Sequence, residues 1–113
     1  ARMHELRDIR ALLDVPIPAV FAGDTNLRDT EVSQVGLGAL RDAWQVAGEP
    51  ASGRTTWRSA NRKASRRFDR CLVNPHVEVQ AVHSCWAQAG GRDASDHAGL
   101  LVQLGPAELS SGS

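Results

Sequence analysis

The chain has 113 residues and a mass of 12.2 kDa, enough for one small domain or part of a larger one. Hydrophobic residues make up 42% and charged residues 23%, which excludes a wholly disordered polyelectrolyte. Thirteen basic residues balance thirteen acidic ones, so a general polycation coating nucleic acid or membrane is excluded, although a local basic patch is not.

No apolar run approaches the roughly 20 residues of a membrane-crossing helix, and no membrane partner is expected. Cys71 and Cys85 are too few for a disulfide scaffold, so a reducing, intracellular setting is the simpler expectation. The chain opens on Ala1 and enters helix-like sequence at once, the pattern expected of a truncated chain. Residues 109–113 are polar and are expected to form a disordered tail behind a partial domain at 1–108.

Met3, Leu6, Ile9 and Leu13 recur at spacings of three, three and four among Arg, Asp and Glu, which predicts an amphipathic helix over 2–13. Pro16 and Pro18 stop it. Ala19-Val20-Phe21-Ala22 is an unbroken apolar run, the pattern of a strand covered on both faces, and it ends at Gly23-Asp24. Residues 24–38 read as a polar loop with one helical turn from Glu31. Leu40 to Ala47 reads as a second short helix ended by Gly48 and Pro50, with Trp44 on its apolar side as a core residue.

Residues 51–67 are different in kind. Arg54, Arg58, Arg62, Lys63, Arg66 and Arg67 have no acid among them, and a solvated surface loop and a phosphate-meeting patch both remain open. Three strand-like segments with period-two alternation follow, at 68–73, 77–81 and 98–104. A polar loop containing Gly and Ala, 88–95, separates the last two.

Three short clusters sit at strand ends, where rigid backbone can hold polar groups beside open space: Gly23-Asp24-Thr25-Asn26, Arg67-Phe68-Asp69-Arg70 and Ser95-Asp96-His97. The chemistry they suggest is metal-assisted attack of water on a phosphodiester, which needs a carboxylate for the water and positive charge or donors around the phosphoryl oxygens. Asp24 would position the water, and Asn26 would donate to it or to a phosphoryl oxygen. His97 would stabilise developing charge when protonated, and Asp69 would orient the ring and raise its pKa. Asp96 is a candidate carboxylate beside a divalent ion, and hard oxygens favour Mg²⁺ or Mn²⁺ over zinc. Cys71, His76, His83 and Cys85 have zinc-ligand chemistry, but spacings of five, seven and two fit no usual finger.

The order Gly-Asp-Thr-Asn, Thr56-Trp57, Arg-Phe-Asp-Arg and Ser-Asp-His resembles the C-terminal half of the endonuclease/exonuclease/phosphatase superfamily. Within it, the stretch from Phe21 to Asp29, Glu31-Val32 and Gly99-Leu100-Leu101 resemble the tyrosyl-DNA phosphodiesterases. The resemblance implies an α/β fold, the C-terminal half of a four-layered sandwich of the deoxyribonuclease-I-like type. It also implies a Mg²⁺-dependent (Mn²⁺ also suitable) DNA-repair hydrolase of the nucleus. The substrate implied is a DNA 5′ end carrying a tyrosyl or peptide adduct from a trapped topoisomerase.

By position, Asp24, Asn26, Asp69 and His97 match the family's catalytic residues, and Asp24 and Asp96 the acids beside the metal. Arg28 matches the loop arginine near substrate and Trp57 an aromatic of the DNA-end groove, while Arg58 and Arg62 are expected to contact substrate. The sequence departs from the family in having no counterpart of its Asn and principal metal-binding Glu, and Ala98 stands where a Trp is expected. Activity of the chain alone is therefore not expected. The competing expectations are a noncatalytic truncated paralogue and a different phosphodiesterase of the superfamily, acting on abasic sites or phosphoinositides.

Overall fold

Helix α1 (Arg2–Leu12) forms where the spacing predicts it, turning Leu6, Met3 and Ile9 inward, with Leu13 just beyond it on the same core. The computed structural model describes residues 2–107, so residue 108 and the tail expected at 109–113 lie outside the described residues. In chain order the other elements are β1 (Val20–Asp24), α2 (Asp29–Val35), β2 (Arg41–Asp42), α3 (Ala43–Val46), β3 (Trp57–Arg58) and β4 (Ser65–Arg66). They continue with β5 (Asp69–Val73), β6 (Val77–Cys85), β7 (Gln88–Ala89), β8 (Arg92–Asp93) and β9 (Gly99–Pro106).

The organising element is β5. It is flanked antiparallel by β1 and β2, with Val20 opposite Val73 and Asp24 opposite Asp69. Its side chains alternate between two cores. Leu72 meets Leu6, Leu13, Leu27, Val32 and Leu40 on the helical side, whereas Cys71 and Val73 meet Ala43, Trp44, Val77 and Val82 on the other. Both Leu72 and Val73 are 0% exposed, each contributing about 1.5–3 kcal/mol through burial. The β6–β9 hairpin closes the second side. Helices, a sheet and a second sheet are thus stacked in an α/β arrangement, with the strand ends that carry the polar clusters left at one rim.

Several expectations are corrected. β1 is not covered on both faces: Phe21 packs against the helical core, but Val20 is 45% exposed and joins neither core cluster of the described residues. The helical turn expected from Glu31 is present but longer, as the seven-residue helix α2 starting at Asp29, whose start is closed by the Arg28 N–H donating to Glu31 Oε1 at 2.9 Å. Gly36, at φ +80°, ends it.

The expected helix over 40–47 is shortened at its front. Arg41 and Asp42 pair with β5 instead, and Asp42 Oδ1 then accepts from the Trp44 N–H at 3.1 Å to cap α3. Trp44 is core, as expected. The 51–67 loop holds the β3–β4 hairpin, and 88–95 holds the smaller β7–β8 hairpin. A bulge between Val79 and Ala81 shifts the β6 alternation, so Val82 rather than Ala81 reaches the core.

Candidate active site

Asp24 ends β1 and Asp69 begins β5, directly opposite each other in the sheet register. Thr25 ties the turn after β1 to its neighbour. Its N–H and its hydroxyl both donate to the Phe68 carbonyl, at 2.8 and 2.7 Å, and Arg70 Nη1 donates back to that hydroxyl at 2.6 Å. Asp24 Oδ1 accepts from the Asn26 N–H at 2.8 Å, and Asn26 occupies the left-handed region at φ 53°, which Asn tolerates better than most residues. The other carboxylate oxygen of Asp24 faces His97.

His97 arrives from the loop before β9. It bridges to Trp57 of β3, and its N–H donates to Ser95 Oγ at 3.1 Å. Its Nδ1 lies 2.7 Å from Asp69 Oδ2, and its Nε2 lies 3.6 Å from Asp24 Oδ2. The short contact is an Nδ1–H donated to a carboxylate, which fixes the plane of the ring. That hydrogen bond is the main reason the His97 pKa is raised. Partial burial opposes it, and the charges of Asp69, Asp24 and Asp96 reinforce it. The imidazolium is therefore favoured towards neutral pH, with Nε2 turned to the Asp24 side.

Thr56 supports this arrangement from below. Fully buried, its hydroxyl accepts from the N–H groups of Phe68 and Asp69, both at 3.0 Å. Its carbonyl accepts from the Ala98 N–H at 2.7 Å. One residue thereby fixes the backbone that presents Asp69 and the backbone next to His97.

Asp24, Asp69 and His97 place one ligand-type atom each within 4.8 Å of one another. Asp96 stands outside that triangle, with its Oδ2 accepting from Trp57 Nε1 at 3.1 Å. Trp57 also lies against Phe68, ring centroids 5.5 Å apart. Asn26 and Arg28 are both exposed on the turn that follows Asp24.

The arginines of the basic stretch divide. Arg58 and Arg62 meet Asp93 at 3.7 and 3.1 Å. Arg67 is removed from any phosphate patch: only 6% exposed, it contacts Asp29 at 2.8 Å and Asp42 at 2.7 Å while lying over Trp44. The zinc donors do not meet among the described residues: Cys71 is buried and Cys85 exposed.

Sequence reasoning missed three organisers. Thr56 is one. Arg70, 1% exposed, donates to the Leu27 carbonyl and Asp29 at 2.7 and 2.6 Å, tying the turn after β1 to α2. Asn74 donates to the carbonyls of Leu13, Val15 and Ile17 and accepts from the N–H groups of Ala19 and His76. The available signals were weak: a Thr inside the Thr-Trp pair, an Arg inside an apolar strand, and an Asn at a strand end.

The model of the Endonuclease/Exonuclease/phosphatase family matches residues 1–97. Tyrosyl-DNA phosphodiesterase 2 of Xenopus laevis is 34% identical over 114 residues, covering 85% of this chain and 31% of the relative. The solved structure of humanized D. rerio TDP2 superposes with a TM-score of 0.79 at 32% identity, covering 92% of this chain and 48% of that one. D. rerio TDP2 complexed with a single-strand DNA product also superposes with a TM-score of 0.79, at 29% identity over 92% of this chain and 49% of that one. The chain spans about a third of the length of the curated relative and about half of the two crystallised chains.

Proposed function

The chain belongs to the endonuclease/exonuclease/phosphatase family, and from that membership we propose that it carries part of the catalytic centre of a 5′-tyrosyl-DNA phosphodiesterase. The observation that carries this reading is His97 held between Asp69 at 2.7 Å and Asp24 at 3.6 Å, in a chain similar to tyrosyl-DNA phosphodiesterase 2. A phosphodiester seated beside Nε2 brings a charged oxygen to the imidazolium, which stabilises the charge that grows there. Asp24 orients a water and takes its proton. The water oxygen bonds to phosphorus as the phosphorus–tyrosyl oxygen bond breaks. Asn26 donates to the phosphoryl oxygen or the water. Asp69 acts through His97 as a positioning residue.

The open donors are carboxylate oxygens, which suit Mg²⁺ or Mn²⁺. Asp69 Oδ2 and His97 Nδ1 are engaged with each other, so Asp24 and Asp96 would offer the oxygens for a cation. Two carboxylates do not fill six positions, and the remaining ligands would come from water, substrate and residues outside this chain. When bound, the cation supplies a Lewis acid on a phosphoryl oxygen. For this reason the 113 residues alone are expected to show no turnover. Arg28, Trp57, Arg58 and Arg62 would contact the DNA end. The nucleus is the compartment that fits this substrate.

The test is turnover by a protein that carries this chain within a domain of its relatives' length. A 5′-phosphotyrosyl oligonucleotide, an abasic duplex and a phosphoinositide are offered with Mg²⁺ and with EDTA. Cleavage of the tyrosyl substrate, abolished by EDTA, is expected. Cleavage of either other substrate with none of the tyrosyl one contradicts the reading, and no cleavage of any would favour the noncatalytic paralogue.

A further inference from the structure

A second cleft, of about 540 Å³, opens beside the candidate active site, with walls that include Arg58, Arg62, Arg92, Asp93 and Asp96. Asp96 joins the two regions: its side chain holds Trp57, its carbonyl accepts from the Arg58 N–H at 2.9 Å, and His97 follows it in the chain. Asp93 projects into this cleft from β8. Its side chain is only 15% exposed, although it carries a charge.

Two guanidinium groups converge on one oxygen of that carboxylate. Arg62 Nη2 lies 3.1 Å and Arg58 Nη1 3.7 Å from Asp93 Oδ2. The other oxygen accepts from Gln88 Nε2 at 2.7 Å, across the β7–β8 hairpin. The Arg58 guanidinium is held in place, whereas Arg62 is anchored through its backbone and reaches Asp93 with a side chain that is 56% exposed. The Arg58 guanidinium lies over Trp86, its carbon 3.7 Å from the ring centroid. Arg62 sits in a tight turn at φ 59°, where its N–H donates to the Ser59 carbonyl. Arg92 lines the same cleft and makes no ion pair among the described residues.

Two arginines converging on one anionic oxygen, Arg58 held over Trp86 and Arg62 reaching in from its turn, make a site for a phosphodiester oxygen. Asp93 fills the position that such an oxygen would take. We propose that Asp93 is an internal counter-anion that occupies a backbone-phosphate subsite formed by Arg58 and Arg62, and that a phosphodiester of a nucleic-acid strand displaces it. This rests on the proposed function only for the identity of the strand as the one whose end enters the active site. The consequence is regulatory as well as structural: Asp93 lowers strand affinity and selects against lone small anions, which bring too few contacts to displace it.

The probe is an unmodified, fluorescein-labelled single-stranded oligonucleotide, whose anisotropy is followed with the full chain in EDTA over a series of salt concentrations. Asp93→Asn keeps the acceptor for Gln88 and removes the charge. It is expected to tighten binding about three- to tenfold, the loss of two partly exposed competing ion pairs. The slope of log K against log salt is expected to steepen by up to about 0.7 for each further phosphate neutralised. Gln88→Ala breaks the hairpin bond and leaves the charge, so affinity is expected to stay unchanged. With Arg58→Gln and Arg62→Gln in place, Asp93→Asn is expected to bring no tightening. Inorganic phosphate is expected to compete no better than an equal ionic strength of chloride.

Unchanged or weaker binding by Asp93→Asn, the same tightening from Gln88→Ala, or no binding by either protein would overturn the proposal. Strong competition by inorganic phosphate would overturn the strand as the ligand. Because no turnover is read, these results stand whether or not the tyrosyl substrate is hydrolysed, and failure here leaves the hydrolysis test intact.

Discussion

Replacing Thr56 by valine preserves the shape of a fully buried side chain and deletes its hydroxyl. Two backbone N–H groups, those of Phe68 and Asp69, then lose their acceptor at 3.0 Å. A buried donor left unpaired costs about 1–3 kcal/mol, so the pair amounts to about 2–6 kcal/mol. Thr56→Ser keeps the acceptor and removes one methyl group, worth about 0.8 kcal/mol of burial. Against a urea dependence of about 1–3 kcal/mol per molar, the valine variant should unfold at least about 0.7 M earlier than wild type, and the serine variant should shift by less than about half as much at the same slope. Urea unfolding followed by circular dichroism, at matched slopes, reads the difference. A valine midpoint equal to or above that of the serine variant would refute the role assigned to this hydroxyl. Before unfolding, the valine variant should also lower the His97 pKa, because Asp69 loses the N–H anchor that aims it.

Asp69→Asn removes the main cause of the raised His97 pKa, so an NMR titration of the ring should move towards the ordinary histidine value. Because the folded-state pKa lies above the unfolded one, the stability linked to His97 is fully present below about pH 6.5 and is lost as pH rises through the folded value. Asp69→Asn should flatten that dependence, and an unchanged pH profile would contradict the assignment. Arg67→Met leaves Asp42, 2% exposed, without its 2.7 Å partner and should cost about 3–5 kcal/mol in urea unfolding. Combining it with Asp42→Leu should recover part of that loss. Cys85 should react with a thiol reagent in the native state, whereas Cys71 should not: burial pushes its thiol pKa up, with Asp42 adding to the effect.

The candidate site was legible because its residues occur as short polar clusters where apolar strand patterns end. Asp24, Asp69 and His97 are far apart in the chain, yet each marks a strand terminus, and antiparallel pairing of β1 with β5 brings two of the three into register. The supports were not legible. Arg67 looks like a member of a basic surface and Arg70 like an odd cation in an apolar strand until Asp29 and Asp42 come to meet them across α2 and β2, and that is a long-range coincidence no local pattern records.

Elements with few apolar positions were the ones misread. α2 contributes just Val32 to the buried core, and the strand nature of Arg41-Asp42 depends wholly on the free edge of β5. The cover expected over β1 was inferred from composition alone. Exposure depends on what packs over each face of a strand, and among the described residues Phe21 of β1 meets a core while Val20 does not.

The most direct measurement is single-turnover hydrolysis of a 5′-phosphotyrosyl oligonucleotide by a protein carrying this chain within a domain of its relatives' length, wild type beside His97→Ala and Asp24→Asn. If the two side chains serve one phosphorus atom, each change lowers the rate by orders of magnitude, leaves oligonucleotide affinity nearly unchanged, and combining them costs far less than the product of the two effects. A His97→Ala protein that cleaves at the wild-type rate would contradict the claim that Asp24, Asp69 and His97 form one catalytic centre.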